Sequence, residues 1–275
     1  MRDNDLTSWI GHTDTCTDSL DALHAARVAL SIGDDPAQLG PRLPLLWHWA
    51  FFVSGQPYDL LGHDGHPVQG GPLPPTAENR RRMWAGGRVQ FHAPLRIGVP
   101  AERASLITSV TEKQGRTGTL TFVTAQHEYR QDGLVCIREE QDIVYRAPAA
   151  ARLQGTQPAP ESAWRQTIQP DPVMLFRYSA VTFNGHRIHY DLPYARDVEG
   201  YPGLVVHGPL IATLMVRAFK QANPDTTIRS LSYQGLRPLI APSAFEVGGR
   251  LLDDGKAHLW AAQDGTLAHQ GEIGF

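Results

Sequence analysis

Three imidazoles (His186, His189 and His207), the amide of Asn184 and the phenols of Tyr178 and Tyr190 fall within one stretch, Tyr178–Leu210, which reads YSAVTFNGHRIHYDLPYARDVEGYPGLVVHGPL. Imidazole is the side chain whose ordinary pKa, about 6.5, lets it take and return a proton at neutral pH. His186 and His189 are spaced to share a face if the local turn is helical. The stretch closes on Gly208-Pro209. Proline has no amide hydrogen to lose and a pre-set φ, so Pro209 suits a first helical position, and Leu210, Leu214, Met215 and Phe219 follow at helical spacing. Free amides at such an end, with the positive end of the helix dipole, can hold a carbonyl oxygen that turns negative during reaction, and Gly208 lets a substrate come close. Together these parts describe proton transfer next to a polarised carbonyl. Taken one at a time, a core helix after a turn and hydrogen-bonded core histidines explain them equally well. A metal reading of His-x-x-His lacks partners, because there is no zincin-type motif and no cysteine cluster, so no metal is expected.

The segment Asn184-Gly185-His186-Arg187-Ile188-His189-Tyr190-Asp191, with Tyr194-Ala195 and Gly203-Leu204-Val205-Val206-His207-Gly208 behind it, resembles the signature of MaoC-like hydratases and dehydratases of hotdog fold. It is most similar to the branch that holds mitochondrial-type 3-hydroxyacyl-thioester dehydratases and bacterial mesaconyl-CoA and itaconyl-CoA hydratases. The usual motif has an aspartate, an asparagine two places on and a histidine five places on. Here those positions are Asn184, His186 and His189. The resemblance therefore implies a catalytic role for His189, and for Gly208 as the amide that binds the thioester oxygen. It does not carry over the aspartate, since Asn184 can orient water but cannot take its proton. His186 is the evident replacement proton carrier.

The implied reaction is reversible hydration of an α,β-unsaturated acyl-CoA thioester, with no cofactor. Asn184 and His189 would hold and activate water, and His186 or His189 would deliver the proton. Tyr178, Arg187, Tyr190 and His207 are candidate substrate contacts from the same stretch. Arg82 and Trp84 are candidates from the earlier RRRMWAGG segment, which also resembles that branch. Three arginines in a row are most often a solvated face, yet one guanidinium beside an acyl pocket would select a second carboxylate. The resemblance implies a short branched dicarboxylic acyl-CoA, such as mesaconyl-CoA or itaconyl-CoA, and the arginines fit its carboxylate; a fatty 3-hydroxyacyl thioester is the runner-up. Arg177, Arg196, Arg217 and Lys220 could serve the CoA phosphates. A hotdog thioesterase would place Asp or Glu on the helix after Gly208, and Pro209–Lys220 has neither. A non-catalytic acyl-thioester binding module is the third reading.

The elements that must position these groups read as two related halves. Residues 18–32 form a helix with Leu20, Leu23, Ala26, Val28 and Leu30 on its apolar side and Asp18 or Ser19 as N-cap. Leu45–Val53 reads as a buried strand, in which His48 is a satisfied core residue. Residues 54–76, rich in Gly and Pro, hold no regular element and are long enough to line an acyl pocket. Val89–Ile97, Ala104–Lys113, Thr117–Tyr129 and Leu134–Tyr145 alternate like an antiparallel meander, and Ile228–Leu236, Ala244–Leu252, Ala257–Gln263 and Leu267–Gly274 repeat it. Phe91 and Pro100 match Tyr233 and Pro242 in spacing, which suggests duplication. The expected fold is α+β, a double hotdog of two antiparallel sheets each wrapped around a central helix. A non-catalytic half, 1–148, would shape the pocket; 149–163, poor in large apolar residues, would be a linker; 164–275 would carry the catalytic loop.

Gross quantities fit this. The 275 residues suffice for two cores. A net charge of −3 argues against a nucleic-acid surface. Cys16 and Cys136 are too few for a disulfide framework, which favours a reducing compartment. With a polar N-terminus and no membrane-length apolar run, a cytoplasmic protein is expected, compatible with a homodimer.

Overall fold

A computed structural model of the chain describes residues 6–68, 73–74, 81–115, 118–147, 153 and 155–275. The elements in order are β1 (Thr13–Asp18), α1 (Ala22–Ile32), β2 (Arg81–Phe91), β3 (Ala101–Gly115), β4 (Gly118–Gln131), β5 (Leu134–Arg146), β6 (Trp164–Ile168), α2 (Pro172–Val181), β7 (Leu204–Val205), α3 (Gly208–Ala222), β8 (Ser230–Gly235), β9 (Ile240–Ala241), β10 (Phe245–Leu252), β11 (Lys256–Gln263) and β12 (Thr266–Gly274). The α+β hotdog architecture is present, with two amendments to the expected form.

First, the two meanders are one sheet. Ten strands run in the order β1-β3-β4-β5-β2-β8-β12-β11-β10-β6, and the halves meet edge to edge where β2 pairs antiparallel with β8. The order on one side of that seam repeats on the other. Carrying the Phe91–Tyr233 match two residues back aligns Val89 with Leu231, and these two residues lie opposite each other across the seam. A twofold relation between duplicated halves requires such a pair on its axis. The seam also explains the WAGG sequence. A Cβ on Gly86 would stand 2.3 Å from the Tyr233 carbonyl oxygen, and one on Gly87 2.4 Å from that of Glu140, so both backbones approach too closely for any side chain.

Second, among the described residues a long central helix is found in the second half and not in the first. There α3 buries Leu210, Leu214, Met215 and Phe219, the residues marked by helical spacing, against β6, β10 and β11. Among the described residues, nothing longer than one turn lies between α1 and β2. The expected strand Leu45–Val53 is instead a single 3-10 turn, Trp47–Ala50, flanked by Leu46 and Phe52 at positive φ. The cause is one buried carboxylate. Glu139 on β5 accepts from His48 Nε2 (3.1 Å), Trp49 Nε1 (2.8 Å), Tyr129 Oη (3.2 Å) and Gln141 Nε2 (2.9 Å). Consecutive residues of a strand point to opposite faces, so His48 and Trp49 can share one acceptor only if the chain curls. Burial pushes the Glu139 carboxyl up, but the His48 bond and the other donors outweigh it and hold it down at about 2. His48 is the satisfied core residue that the sequence suggests.

Smaller differences have local reasons. Helix α1 starts four residues later than expected, capped by Asp21 on the His24 amide, because the Asp18 carboxylate is taken by the amides of Leu20 and Phe52. Its buried face is Ala25, Val28, Ala29 and Ile32, while Leu23 and Leu30 are exposed. The first strand of the first meander begins at Arg81, so Arg81 and Arg82 lie inside β2 rather than before it. Asp171 caps α2 through the Met174 amide with Pro172 at its first turn, a start that places Tyr178 on a helix rather than in the loop. Of the expected linker, 149–152 and 154 lie outside the described residues. The rest runs along the second meander, where Ala159 donates its amide to Gly265.

The seam carries a prediction. Gly87→Ala should lower stability by roughly 1–3 kcal/mol through overpacking, read as a lower denaturant midpoint. Gly40→Ala, where the added carbon meets nothing within 4 Å, should leave the midpoint in place.

Candidate active site

The expected loop forms as one 3-10 turn, Arg187–His189, with His186 at its start. Asn184 holds that start, its Oδ1 accepting the His186 amide at 3.0 Å. His186 and His189 do share a side, with ring centroids 5.4 Å apart. His189 donates from Nδ1 to the carbonyl oxygen of Val205 on β7 at 2.7 Å. A carbonyl only accepts, so the proton is fixed on Nδ1 and Nε2 keeps its lone pair. β7 is itself fixed by β9, where Gly203 passes so close that a Cβ would lie 2.5 Å from the Ala241 oxygen. His207 is fully buried, stacked on His189 at 3.7 Å, and its Nε2 bonds Ser179 Oγ at 2.8 Å. It then serves as N-cap of α3 without a side-chain capping bond, which leaves the first-turn amides at Gly208 free of side-chain partners.

A cavity of about 730 Å³ is lined by residues of both halves. Its wall includes Tyr178, Asn184, Gly185, Tyr190 and Pro209 from the second half and Arg82 and Trp84 from β2. His186, His189, His207 and Gly208 adjoin this lining through their neighbours Gly185, Tyr190 and Pro209. Trp84 bridges the gap, its ring 3.8 Å from the point where a Cβ on Gly208 would sit. Arg82 and Trp84 face the same way because they are two apart on a strand. Arg81 instead pairs with Glu199 at 2.8 Å, and Arg80 lies outside the described residues. Arg82 forms no ion pair among the described residues.

Two candidates have other work. Arg187 is taken by Asp191 (2.7 Å), the His63 carbonyl oxygen (2.9 Å) and the face of Tyr194, so it does not line the cavity. Tyr190 lines it, with its hydroxyl donated to Gly185 at 2.7 Å. Of the basic residues considered for CoA phosphates, Arg217 holds Ile32 and Asp34, Lys220 holds Pro224 and Thr226, and Arg196 holds Asp197. Arg177 stays exposed next to Phe176. Phe176 and Phe183, both exposed and both on the cavity wall, escape sequence reasoning, because exposed aromatics on a helix end and a loop carry no periodic signal.

The main addition comes from residues 54–68, which line the cavity as a loop of that length suggests. Asp64, Gly65 and His66 dock on the loop that carries Asn184, His186 and His189. Asp64 accepts the Arg187 amide at its carbonyl oxygen (2.9 Å), and the His66 ring lies 4.2 Å from that of His186. The partners that His-x-x-His lacks in sequence thus arrive from the other half, with donor atoms of Asp64, His66 and His186 within 4.8 Å of one another. Both Asp64 oxygens are already bonded by His66, at its amide (2.9 Å) and its Nδ1 (3.0 Å), so the arrangement is a hydrogen-bonded one.

All four imidazoles are neutral at neutral pH. Burial pushes His189 down to about 4, and pushes His207 well below the ordinary value with His189 adding to it. Burial also lowers His186, helped by His66, His189, Arg82 and His207, and lowers His66, helped by Arg82 against Asp64. Neutral imidazoles present lone pairs to water, which is what a base needs.

The profile of the hydroxyacyl-thioester dehydratase type 2 family matches residues 46–241. The mesaconyl-C(4)-CoA hydratase of Chloroflexus aurantiacus is 43% identical over 257 residues, covering 91% of this chain and 90% of that one. The chain belongs to the hydroxyacyl-thioester dehydratase type 2 family. A more distant member, the mitochondrial hydroxyacyl-thioester dehydratase type 2 of Schizosaccharomyces pombe, is 30% identical over 65% of this chain and 67% of its own. The fold is that of the MaoC-like dehydratase from Phytophthora capsici, with a TM-score of 0.75 at 13% identity, covering 98% of this chain and 97% of that one. No helix among the described residues is long and apolar enough to cross a membrane.

Because the depressed values leave lone pairs intact until acid protonates them, kcat/KM should stay level from about pH 8 to about pH 6 and fall toward pH 4. Stability should follow the same side. A histidine buried neutral must gain its proton on unfolding, so stability is full above about 6.5, the unfolded value, and is lost as pH falls toward the folded value near 4. Thermal midpoints measured across that window check this.

Proposed function

We propose that this hydro-lyase adds water reversibly across the α,β-double bond of a short dicarboxylic acyl-CoA of the mesaconyl-CoA type, giving citramalyl-CoA. The observation that carries the substrate is Arg82. It lines the cavity, and its charge reaches His66, His186 and Asp64. When the thioester is at the carboxyl remote from the methyl-bearing carbon, the free carboxylate is bonded to the β-carbon itself, the atom that takes the hydroxyl. Its reader must therefore stand beside the proton-transfer groups rather than at the end of an acyl tunnel. Arg82 stands there, and a guanidinium matches a carboxylate through paired hydrogen bonds.

The remaining parts fit one sequence of events. The first-turn amide at Gly208 donates to the thioester oxygen as it becomes enolate-like. Asn184 and the Nε2 lone pair of His189 hold water over the β-carbon, and a neutral imidazole carries its proton to the α-carbon. The CoA arm leaves past the exposed rings of Phe176, Phe183 and Tyr190. In this reading the half 164–275 supplies the catalytic loop, and 1–148 supplies the carboxylate reader as well as the pocket wall.

An absorbance assay at the enoyl-thioester band, with mesaconyl-CoA, itaconyl-CoA and crotonyl-CoA compared, tests it. Loss of the band with a dicarboxylic substrate is expected. Turnover of crotonyl-CoA alone would move the protein to fatty-acyl chemistry, and silence with all three would make it a binding module. Arg82→Leu should raise KM for the dicarboxylic substrate about 10–100-fold, the worth of a charge-assisted bond pair, and leave crotonyl-CoA unchanged. His189→Ala should slow turnover by ~10²–10⁴-fold with folding intact; retained turnover would remove His189 from the reaction.

A further inference from the structure

The catalytic loop has no carboxylate at the position that usually carries one, because that position is Asn184. Of the four imidazoles at the loop junction, His66 is the one on the cavity wall, beside Arg82, Asn184 and Gly185. Its Nδ1 is bonded to Asp64 Oδ2 at 3.0 Å, and a carboxylate only accepts, so Nδ1 carries the proton and Nε2 keeps a lone pair. The pair is held against the loop by backbone. Asp64 accepts the Arg187 amide, and Gly65 lies so close to Gly185 that a Cβ on it would stand 1.9 Å from the Gly185 oxygen. The first half thus delivers a carboxylate-backed imidazole to the side of the loop where position 184 lacks its carboxylate.

We propose that Asp64 and His66 form the acid–base dyad of this active site, replacing in space the carboxylate missing at position 184. The inference rests on the hydratase reading. As the water oxygen bonds the β-carbon, one O–H bond breaks and His66 Nε2 takes the proton, while the C=C electron pair moves onto the thioester oxygen at Gly208. The enolate then collapses, and the same proton passes from His66 Nε2 to the α-carbon. One water is added and His66 ends neutral. His189 stays neutral and holds the water. Two facts favour this division. An imidazolium on His66 would sit against Asp64, whereas one on His189 would be buried with its Nδ1 on a carbonyl and not a carboxylate. The Asp64 carboxyl, which burial raises, is brought below its ordinary range by the His66 bonds and is charged at neutral pH.

The test is Asp64→Asn, assayed with mesaconyl-C4-CoA. The backbone bond to Arg187 survives, but an amide offers His66 Nδ1 a donor, which favours the tautomer with Nε2 protonated and removes the base. Turnover should drop at least 10²-fold, with KM within about twofold and the thermal midpoint unchanged. The double variant Asp64→Asn/Asn184→Asp, which returns a carboxylate to the loop, should recover at least 10-fold of the loss. His66→Gln should match Asp64→Asn. Wild-type turnover in Asp64→Asn or His66→Gln would overturn the dyad while leaving the hydratase reading standing. So would a zinc-dependent activity lost to chelation. A silent wild-type enzyme would instead remove the hydratase reading and the dyad with it.

Discussion

The antiparallel pairing of β2 with β8 is the constraint on which the site depends. It joins two five-stranded halves into one sheet, and it places Trp84 of the first half against the N-terminus of α3 on the second, with Arg82 on the same cavity wall. A stable hydrogen-bonded edge needs strands about 5 Å apart, and at Gly86 and Gly87 even a methyl group would not fit. Joining the edges also removes the exposed strands that two separate meanders would leave, a standing liability of open sheets. The glycine pair is thus a requirement of the seam, and the residues just before it inherit their position from it.

The two halves differ on either side of that seam. The second keeps α3, an apolar helix whose first-turn amides have no side-chain cap. The first replaces such a helix with the Trp47–Ala50 turn, pinned by a buried, four-fold hydrogen-bonded Glu139. A buried carboxylate costs much free energy unless all its acceptor sites are met. Here they are met by side chains that also close the floor of the cavity, which a full-length helix would otherwise fill.

Burial explains the behaviour of the histidines. Four imidazoles packed together in a region that also holds Arg82 cannot all be charged, so they remain neutral. Their acceptors then decide their tautomers. The Val205 carbonyl leaves His189 with an Nε2 lone pair, and Asp64 does the same for His66. An amide at position 184 is compatible with this, because it holds the turn through the His186 amide.

Features that depend on neighbours in the chain were legible from residue order. Pro209 after Gly208 and the period of Leu210, Leu214 and Phe219 mark the helix start, and the alternation in residues 104–145 and 228–274 marks the strands. The spacing of Asn184, His186 and His189 marks the loop and the family. Features that depend on which distant groups meet were not legible. The run LLWHWAFFV is as apolar as any buried strand, and only Glu139, some ninety residues on, curls it into a turn. Asp64 and His66 sit in a glycine- and proline-rich loop with no periodicity to mark them, and Arg82 reads as one charge among three. Folding gives these side chains their surroundings: a carboxylate, an imidazole and a guanidinium gain meaning from what stands about 3–4 Å away, and for Asp64 and His66 that includes Arg187 and His186 from the other half of the chain.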